Sequence, residues 1–438
     1  MLLEFQVENY LSFKDIAKLS MIASSSTSIK DLQDSIVTVN NTNILTSAAI
    51  FGANASGKSN FVKAIGFMNN FVSNSAKEST FGKDIAVESF KLSEETKNEP
   101  STFEITFIVP NDNKELSEND HIIFRYGFQI CRKKIEDEWL FARFTSSESK
   151  LFIREGNEIV NGDKFKEGKQ VYKTIEDINK TTLFLSLIAN IKGENAPLTG
   201  MIMNWFTKIK DITTLANLKF LGLTASLMDE PKRKEEILKA LRFADMGIED
   251  IMTQENEIDF EKLPSDIKKM VKEENLKNMF TQLNTYHSVY NSDNEKIGKT
   301  AFNFTKQESD GTKKFFALIG IILAALHWGM ILVVDEMDTR LHPNLFLVLV
   351  SLFNSKKINR NNAQLIFATH NTLVMNKRYL RRDQIYLTKK DKYGASELYS
   401  LLDYKSVRND ATFNKDYLMG KYDAVPYLGN FESIFSKD

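Results

Sequence analysis

Phe51-Gly52-Ala53-Asn54-Ala55-Ser56-Gly57-Lys58-Ser59-Asn60 is the stretch around which the rest of the chain is organised. Gly52 to Ser59 is a full match to G-x-x-x-x-G-K-[ST]. The two glycines let the backbone curl until successive N–H groups converge, with no Cβ in the way. Lys58 can then reach the outer phosphates of a nucleotide as a point charge, and the Ser59 hydroxyl can ligate Mg²⁺. A helix starting here adds its N-terminal dipole to the anion site. The alternative is a glycine-rich turn without a ligand, so the flanks decide. Ile44, Leu45, Ala48, Ala49, Ile50 and Phe51 have the make-up of a buried strand. Phe61, Ala64, Ile65, Met68, Phe71 and Val72 recur at helical spacing. Strand, loop and helix is the context the motif requires. Gly52, Asn54, Ala55, Ser56, Gly57, Lys58, Ser59 and Asn60 are therefore the candidate nucleotide-binding residues.

The bulk properties leave the partners open. With 438 residues, 42% hydrophobic and 26% charged, the chain has material for one to three domains. A net charge of −1 gives no global attraction to nucleic acid or membrane, so any such surface must be local. The single cysteine, Cys131, excludes an intrachain disulfide and a multi-cysteine metal site. The opening MLLEFQVENY carries acids and no basic segment, unlike a signal peptide. The longest apolar run, Phe315 to Val334, contains Gly320, His327 and Gly329 and fits a helix plus a strand rather than a membrane span. The expectation is a soluble, cytoplasmic protein without membrane contact.

Taken in order, Leu3, Phe5 and Val7 alternate with Glu4, Gln6 and Glu8 as in a half-buried strand, and Lys18 to Ala23 suggests a second. A polar connection leads to the phosphate loop. After the loop's helix, Ser73 to Ser93 is expected to be polar and mobile. Residues 85–165, with Phe103-x-Ile105-x-Phe107, Ile122-x-Phe124-x-Tyr126-x-Phe128 and Trp139-Leu140-Phe141, predict an antiparallel β layer, with Asp112–Asp120 as a hairpin loop. From Asp177 to about Phe280 the periodicity turns helical. Leu183, Leu187, Ile188 and Ile191 share one face, as do Trp205, Phe206, Ile209 and Ile212. Lys232 to Glu236 opens a helix burying Ile237, Leu238, Leu241 and Phe243. Asp266 to Met279 is a charged amphipathic helix, favoured as a solvated surface helix, with too few heptads for a long coiled coil. Strands return at Tyr286–Tyr290 and Ala301–Phe304, before the apolar helix Phe315–His327. Met330–Glu336 and Gln364–His370 are apolar strands, separated by a helix at Leu345–Phe353. Ile385–Thr388 and Leu398–Leu401 form a late hairpin. The domain boundaries expected are 1–176, an N-terminal lobe, 177–285, a helical insertion, and 286–438, a C-terminal lobe.

Three buried strands thus run into the phosphate loop, into Asp335-Glu336 and into His370. They define the carboxyl edge of a largely parallel sheet, where open α/β sheets bind ligands. Asp335 is placed to hold Mg²⁺ with Ser59. Glu336 is placed to polarise a water for attack on the γ-phosphate. A helix cap or loop ion pair is the structural alternative. His370 would contact the γ-phosphate or hold the attacking water. Ser309-Asp310-Gly311-Thr312, ahead of a long apolar helix, is either a capping turn or a second anion site. One subunit has no use for two γ-phosphate sites, but two subunits packed head to tail do.

The order of these motifs, with Asp338 after Asp335-Glu336, resembles the ABC-type ATPase heads of the SMC, RecF and OLD proteins. The resemblance implies an α/β fold: an ABC-ATPase head with a mixed, mostly parallel nucleotide-binding sheet, an antiparallel β layer and a helical insertion. It implies ATP and Mg²⁺ as ligands. Ser309 to Thr312 match the signature motif, normally LSGGQ, Met337-Asp338 match the D-loop and His370 the switch histidine. LLEFQVENYLSFKD, GANASGKSN, ESDGTKK, DEMDTRLHP, THNT and YLMGKYDAVP are similar to a bacterial group of AAA-family ATPases that includes RloA-like proteins and the ATPase halves of anti-phage systems such as PARIS. Two departures stand out. Asp310 and Thr312 occupy positions where glycine and glutamine are usual. No Q-loop glutamine can be placed either, since Gln129 fits an ordinary strand.

An OLD-type nuclease would need a second acidic metal cluster after the switch histidine, and the residues beyond His370 contain no D-x-D. The resemblance therefore implies the ATPase component of a defence system, a homo-oligomer of at least a head-to-tail dimer with a separately encoded effector. Residues 177–280 are the candidate docking or sensing surface. The competing expectations are a RecF- or SMC-like DNA-repair ATPase and a slow, nucleotide-gated scaffold. Lys377, Arg378, Arg381 and Arg382 would be the nucleic-acid contact, although Arg381-Arg382-Asp383 fits a capped turn better.

Overall fold

The computed structural model describes residues 1–25, 32–78, 84–114, 116–175, 178–212, 218–254, 282–404 and 412–426. Strands β1 (Leu2–Glu8), β2 (Ala17–Ser20), β3 (Ile36–Val39), β4 (Thr42–Leu45) and β5 (Ser47–Gly52) precede helix α1 (Lys58–Glu78). β6 (Ser101–Pro110), β7 (His121–Ile130), β8 (Ile135–Arg143), β9 (Glu148–Glu155) and β10 (Glu158–Asn161) follow. Helices Phe184–Lys192 and Pro197–Thr207 lead to β11 (Ile209–Ile212), then helices Leu218–Leu227 and Pro231–Phe243 to β12 (Ile248–Gln254). β13 (Gln282–Tyr290) and β14 (Lys296–Asn303) come before helix Asp310–Trp328 and β15 (Ile331–Val334). Helix Pro343–Phe353, β16 (Gln364–Ala368), β17 (Ile385–Lys390), β18 (Ser396–Ser400) and helix Phe413–Leu418 complete the described elements used below.

The chain divides into two units, Met1–Thr213 with Gly329–Met337 and Val350–Asp438, and Thr214–Trp328 with Asp338–Leu349. The larger unit holds a six-stranded sheet in the order β11-β15-β16-β5-β17-β18, parallel throughout except for the β17–β18 hairpin. Every residue of β5, β15 and β16 is buried, as expected for parallel strands covered on both faces. A second, seven-stranded antiparallel sheet runs β10-β9-β8-β7-β6-β1-β2. Its strands alternate buried and half-buried residues, the pattern of a sheet with one covered face. Helix α1 joins the two sheets. Phe61 meets Phe5 edge to face at 5.5 Å, Phe71 meets Phe128 at 5.5 Å, and the helix also contacts β5, β15 and β16. This fixes the helix that carries the phosphate loop between two rigid layers. The smaller unit contains the antiparallel sheet β12-β13-β14 and helix Asp310–Trp328, packed on helix Leu218–Leu227. That long helix is apolar enough to cross a membrane, but 72% of its apolar window is buried in protein, which marks a core helix.

Several expectations are corrected. Trp205, Phe206, Ile209 and Ile212 do not share a helix: the helix ends at Thr207, and Ile209–Ile212 is β11, paired in parallel with Ile331–Val334. The β-branched Ile209 and Ile212 fit either period, and pairing with a buried neighbour decides. β12 is likewise a strand within the stretch expected to be helical. Phe243 is 71% exposed rather than buried. Residues 44–51 form two strands, broken at Thr46, whose hydroxyl bonds the Ser35 carbonyl at 3.1 Å and Asn354 at 2.9 Å. The polar connection before them contains the β3–β4 hairpin. Much of Ser73–Ser93 is packed: α1 continues to Glu78, and Ile85, Val87 and Phe90 are buried. The charged helix expected at Asp266–Met279 lies outside the described residues. Gln129 is a β7 residue opposite Thr102 and Asp137, as expected.

Candidate nucleotide-binding site

The larger unit brings the phosphate loop, Asp335, Glu336 and His370 to one edge. β15, β16 and β5 are neighbours, with Val334 opposite Phe367 and Ala368 opposite Ile50. The chain ends of these strands are stitched together just beyond the ladder. The Met337 amide donates to the Ala368 carbonyl at 3.3 Å, and the Thr369 amide to Ile50 at 3.2 Å. Parallel strands lie about 5 Å apart, so the three strand ends converge on one crevice at the carboxyl edge.

The loop has the backbone its glycines require. Gly52 has φ +155° and Gly57 φ +118°, and Ala55 sits in the left-handed region at φ +60°. A Cβ on Gly52 would stand 2.5 Å from the Thr388 carbonyl, and one on Gly57 2.6 Å from Ser396 Oγ. Lys58 Nζ is buried and donates to the carbonyls of Gly52 and Ala53, at 2.9 Å each. The ammonium thus lies across the loop it serves. Ser59, in the first turn of α1, is half-buried, and Asn54 and Ala55 are exposed.

Asp335 follows β15 directly. Its amide donates to Ile212 at 3.0 Å, while its carboxylate Oδ1 is buried without a hydrogen-bond partner among the described residues. An unmet buried carboxylate oxygen is costly unless a cation or donor arrives. Among the described residues no three His, Cys, Asp or Glu side chains form a metal cage. Mg²⁺ does not need one: a carboxylate, a hydroxyl, phosphate oxygens and water suffice. Asp335 and Ser59 fit that requirement. Glu336 is exposed at φ +47°, a left-handed conformation that costs a non-glycine residue about 1–2 kcal/mol. Strain of this kind gathers at functional sites. His370 is exposed two residues beyond β16.

The smaller unit holds Ser309–Thr312. Ser309 Oγ accepts from the Thr312 amide at 3.1 Å and lies 2.8 Å from Thr312 Oγ1, so Ser309 caps helix Asp310–Trp328. Capping and anion binding are compatible here, because the hydroxyl sits at the positive end of a long helix. Asp310 bonds Arg340 at 2.9 Å, and a Cβ on Gly311 would stand 3.0 Å from the Arg340 carbonyl. The segment from Asp338 to Arg340 therefore adjoins Ser309–Thr312 within this unit.

Sequence reasoning missed a polar collar around the loop. Ser56 Oγ bonds Thr388 Oγ1 at 2.6 Å. Ser12 Oγ accepts from Asn60 Nδ2 and from Ser396 Oγ, both at 2.8 Å. Tyr417 packs its ring 6.2 Å from Phe51, and burial raises its phenol above the ordinary range, opposed by a backbone hydrogen bond with Gly52. Tyr417 opens the YLMGKYDAVP run; the others carry no local signal. Of the basic cluster, Arg381 is buried and paired with Asp383 at 2.8 Å, and Arg382 bonds the Leu401 carbonyl at 3.1 Å. The capped turn is the reading the structure bears out there.

Strand, glycine loop and helix, with an acidic strand end beside them on a parallel sheet, define a P-loop α/β protein. Residues 47–376 match the family described as "AAA domain, putative AbiEii toxin, Type IV TA system", and the chain belongs to that family. The SMC head domain from Thermotoga maritima overlays on 91% of this chain and 98% of its own, at 12% identity and a TM-score of 0.38. The recombination mediator protein RecF with ATP, of the RecFOR pathway, overlays on 91% and 97%, at 14% identity and a TM-score of 0.27. Both are loose likenesses. No curated protein matches the chain.

Proposed function

We propose that this chain binds ATP with Mg²⁺ at the carboxyl edge of the six-stranded sheet and hydrolyses it in a head-to-tail dimer. The observation that carries the proposal is the Oδ1 of Asp335, buried without a partner among the described residues, at the end of a strand separated only by β16 from the strand that runs into the phosphate loop, and next to a strained, exposed glutamate. Ser59 and Asp335 would hold the metal, which would supply positive charge to offset that of the phosphates. Gly52 to Asn60 cradle the phosphates, and Lys58 exchanges its two loop carbonyls for phosphate oxygens. Glu336 takes the proton of the attacking water, and His370 orients that water or the γ-phosphate. Ser309 to Thr312 and Asp338 close the site from a second copy, with Ser309 offering its hydroxyl at a helix N-terminus.

Within the cell we infer a cytoplasmic sensor or regulator of an anti-phage, abortive-infection type of system acting with a separately encoded effector. The toxin–antitoxin description of the family supports this reading. A DNA-repair role is less favoured, since half of the basic cluster is absorbed internally by Asp383 and Leu401.

Glu336→Gln tests the cycle. The expected result is an ATP-bound dimer, seen by mass measurement, with turnover down at least about 100-fold. Unchanged turnover would remove Glu336 as the base, and a dimer that forms without turnover in the wild type would favour a nucleotide-gated scaffold. Purification with the products of neighbouring genes tests the effector.

A further inference from the structure

Glu308 immediately precedes Ser309. Its side chain is only 8% exposed. Its Oε1 accepts a hydrogen bond from the Thr285 hydroxyl at 2.5 Å and lies 2.8 Å from His287 Nε2. Thr285 and His287 are two residues apart on β13 and so point to the same face. β13 is the central strand of its sheet, paired with β12 at Ile251 and Ile248 and with β14 at Phe302 and Thr300. The imidazole packs 4.7 Å from the Phe302 ring. The approach to Glu308 is fixed as well. Asn303 caps the one-turn helix Phe304–Gln307, accepting from the Lys306 amide at 3.0 Å. Phe304 is buried with its ring 5.0 Å from that of Phe316 in the long helix.

A carboxylate is an expensive way to close such a junction, since burying it costs free energy that an apolar residue would not incur. What it provides is direction. Two short hydrogen bonds, one of them to an imidazole, hold a single oxygen on a rigid strand. The next residue along the chain is the helix-capping Ser309. Displacing a reacting group by about 1 Å is enough to lower a rate about 100-fold.

We propose that Glu308, gripped by Thr285 and His287, is the positioning residue that sets Ser309 for the nucleotide bound by a second copy of the chain. The inference rests on the two-copy site proposed above. It makes the three-stranded sheet the element that carries the position of the signature loop.

The test uses the full-length chain and four variants, His287→Ala, His287→Gln, Thr285→Val and Ser309→Ala. Three quantities are read: binding of a non-hydrolysable ATP analogue to dilute protomer, the ATP-dependent dimer mass, and kcat with KM. His287→Ala and Thr285→Val are expected to lower kcat at least 10-fold and weaken the dimer, while analogue binding to the protomer stays within 2-fold. His287→Gln, which keeps a donor, restores a measurable part of kcat. The proposal is overturned if both variants turn over like the wild type while Ser309→Ala does not. It is equally overturned if analogue binding falls in step with kcat, since that is the mark of general damage. If Ser309→Ala itself changes neither dimer nor turnover, the two-copy site fails and this inference with it.

Discussion

Asp335→Asn should move stability in opposite directions with and without ligand. The substitution keeps the shape of the side chain and removes its charge. Oδ1 of Asp335 is buried with no partner among the described residues. A buried acceptor left unmet costs about 1–3 kcal/mol, and more when it is ionised. Asparagine leaves a neutral polar atom there instead, so the free protein should gain roughly 1 kcal/mol, or about 2 °C in melting temperature for a unit of this size. The ligand-bound protein should respond in the other sense. A ligand at 100 times its Kd stabilises by about 2.7 kcal/mol, and the variant should lose most of the share that depends on Mg²⁺. Thermal melts of both proteins with a non-hydrolysable ATP analogue, in Mg²⁺ and in EDTA, read both effects at once. The reasoning is refuted if the variant melts below the wild type without ligand and still shows the full Mg²⁺-dependent shift.

Three further outcomes follow from the same geometry. Gly57→Ala meets a backbone at φ +118° and a Cβ contact of 2.6 Å to Ser396 Oγ, so it should cost at least about 2 kcal/mol and abolish analogue binding in a titration. Ala55→Gly relieves a left-handed alanine at φ +60° and should leave binding intact, with stability changed by less than about 1 kcal/mol in a denaturant melt. Asn9, 3% exposed, donates to the carbonyls of Thr96 and Glu99 at 2.8 and 2.9 Å and accepts from the Phe90 amide at 3.0 Å; Asn9→Ala should destabilise by about 2–4 kcal/mol in urea while the folded fraction binds analogue normally.

The parts of this protein that could be read from its sequence are those whose chemistry is local. The phosphate loop declares itself because two glycines, a lysine and a serine must stand at fixed spacing for one ligand. β15 and β16 declare themselves because a strand covered on both faces has to be apolar throughout. The antiparallel layer is legible from alternation. β11 was not, because four residues with isoleucine at each end satisfy a strand and the tail of a helix equally, and its partner β15 lies more than a hundred residues away. The collar of Ser12, Thr388 and Ser396 is illegible for the same reason: hydroxyls gain meaning only from what the fold places beside them. The grip of Thr285 and His287 on Glu308 depends on a pairing between β13 and a connection beyond β14, which no local pattern records.

The two edges of the six-stranded sheet show where this fold has given up stability. At the amino edge two buried glutamines are fully met, although Asn69, which donates to the Ile209 carbonyl at 3.4 Å, keeps a buried Oδ1 without a partner among the described residues. Gln364 accepts from the Leu2 amide at 2.6 Å and donates to the carbonyls of Leu2 and Leu45, both at 3.0 Å. Gln384 donates to Ser47 and accepts from the Arg381 amide at 2.8 Å. At the carboxyl edge of the same strands the departures gather on the candidate site. Asp335 holds an oxygen unmet among the described residues, Glu336 and Ala55 adopt left-handed backbone, and Lys58 bonds the carbonyls of its own loop. A sequence selected only for folding would have corrected each of these by a single substitution. Their meeting beside the phosphate loop is what supports the ligand-binding reading proposed above. The same contrast supplies a stability test with no assay of turnover. Variants that relieve the carboxyl edge should each stabilise the free protein, whereas Gln364→Ala at the amino edge, by orphaning the Leu2 and Leu45 groups, should cost about 2–4 kcal/mol in a urea melt. Equal penalties at both edges would show that the carboxyl edge is satisfied as it stands and would remove the basis for placing a ligand there.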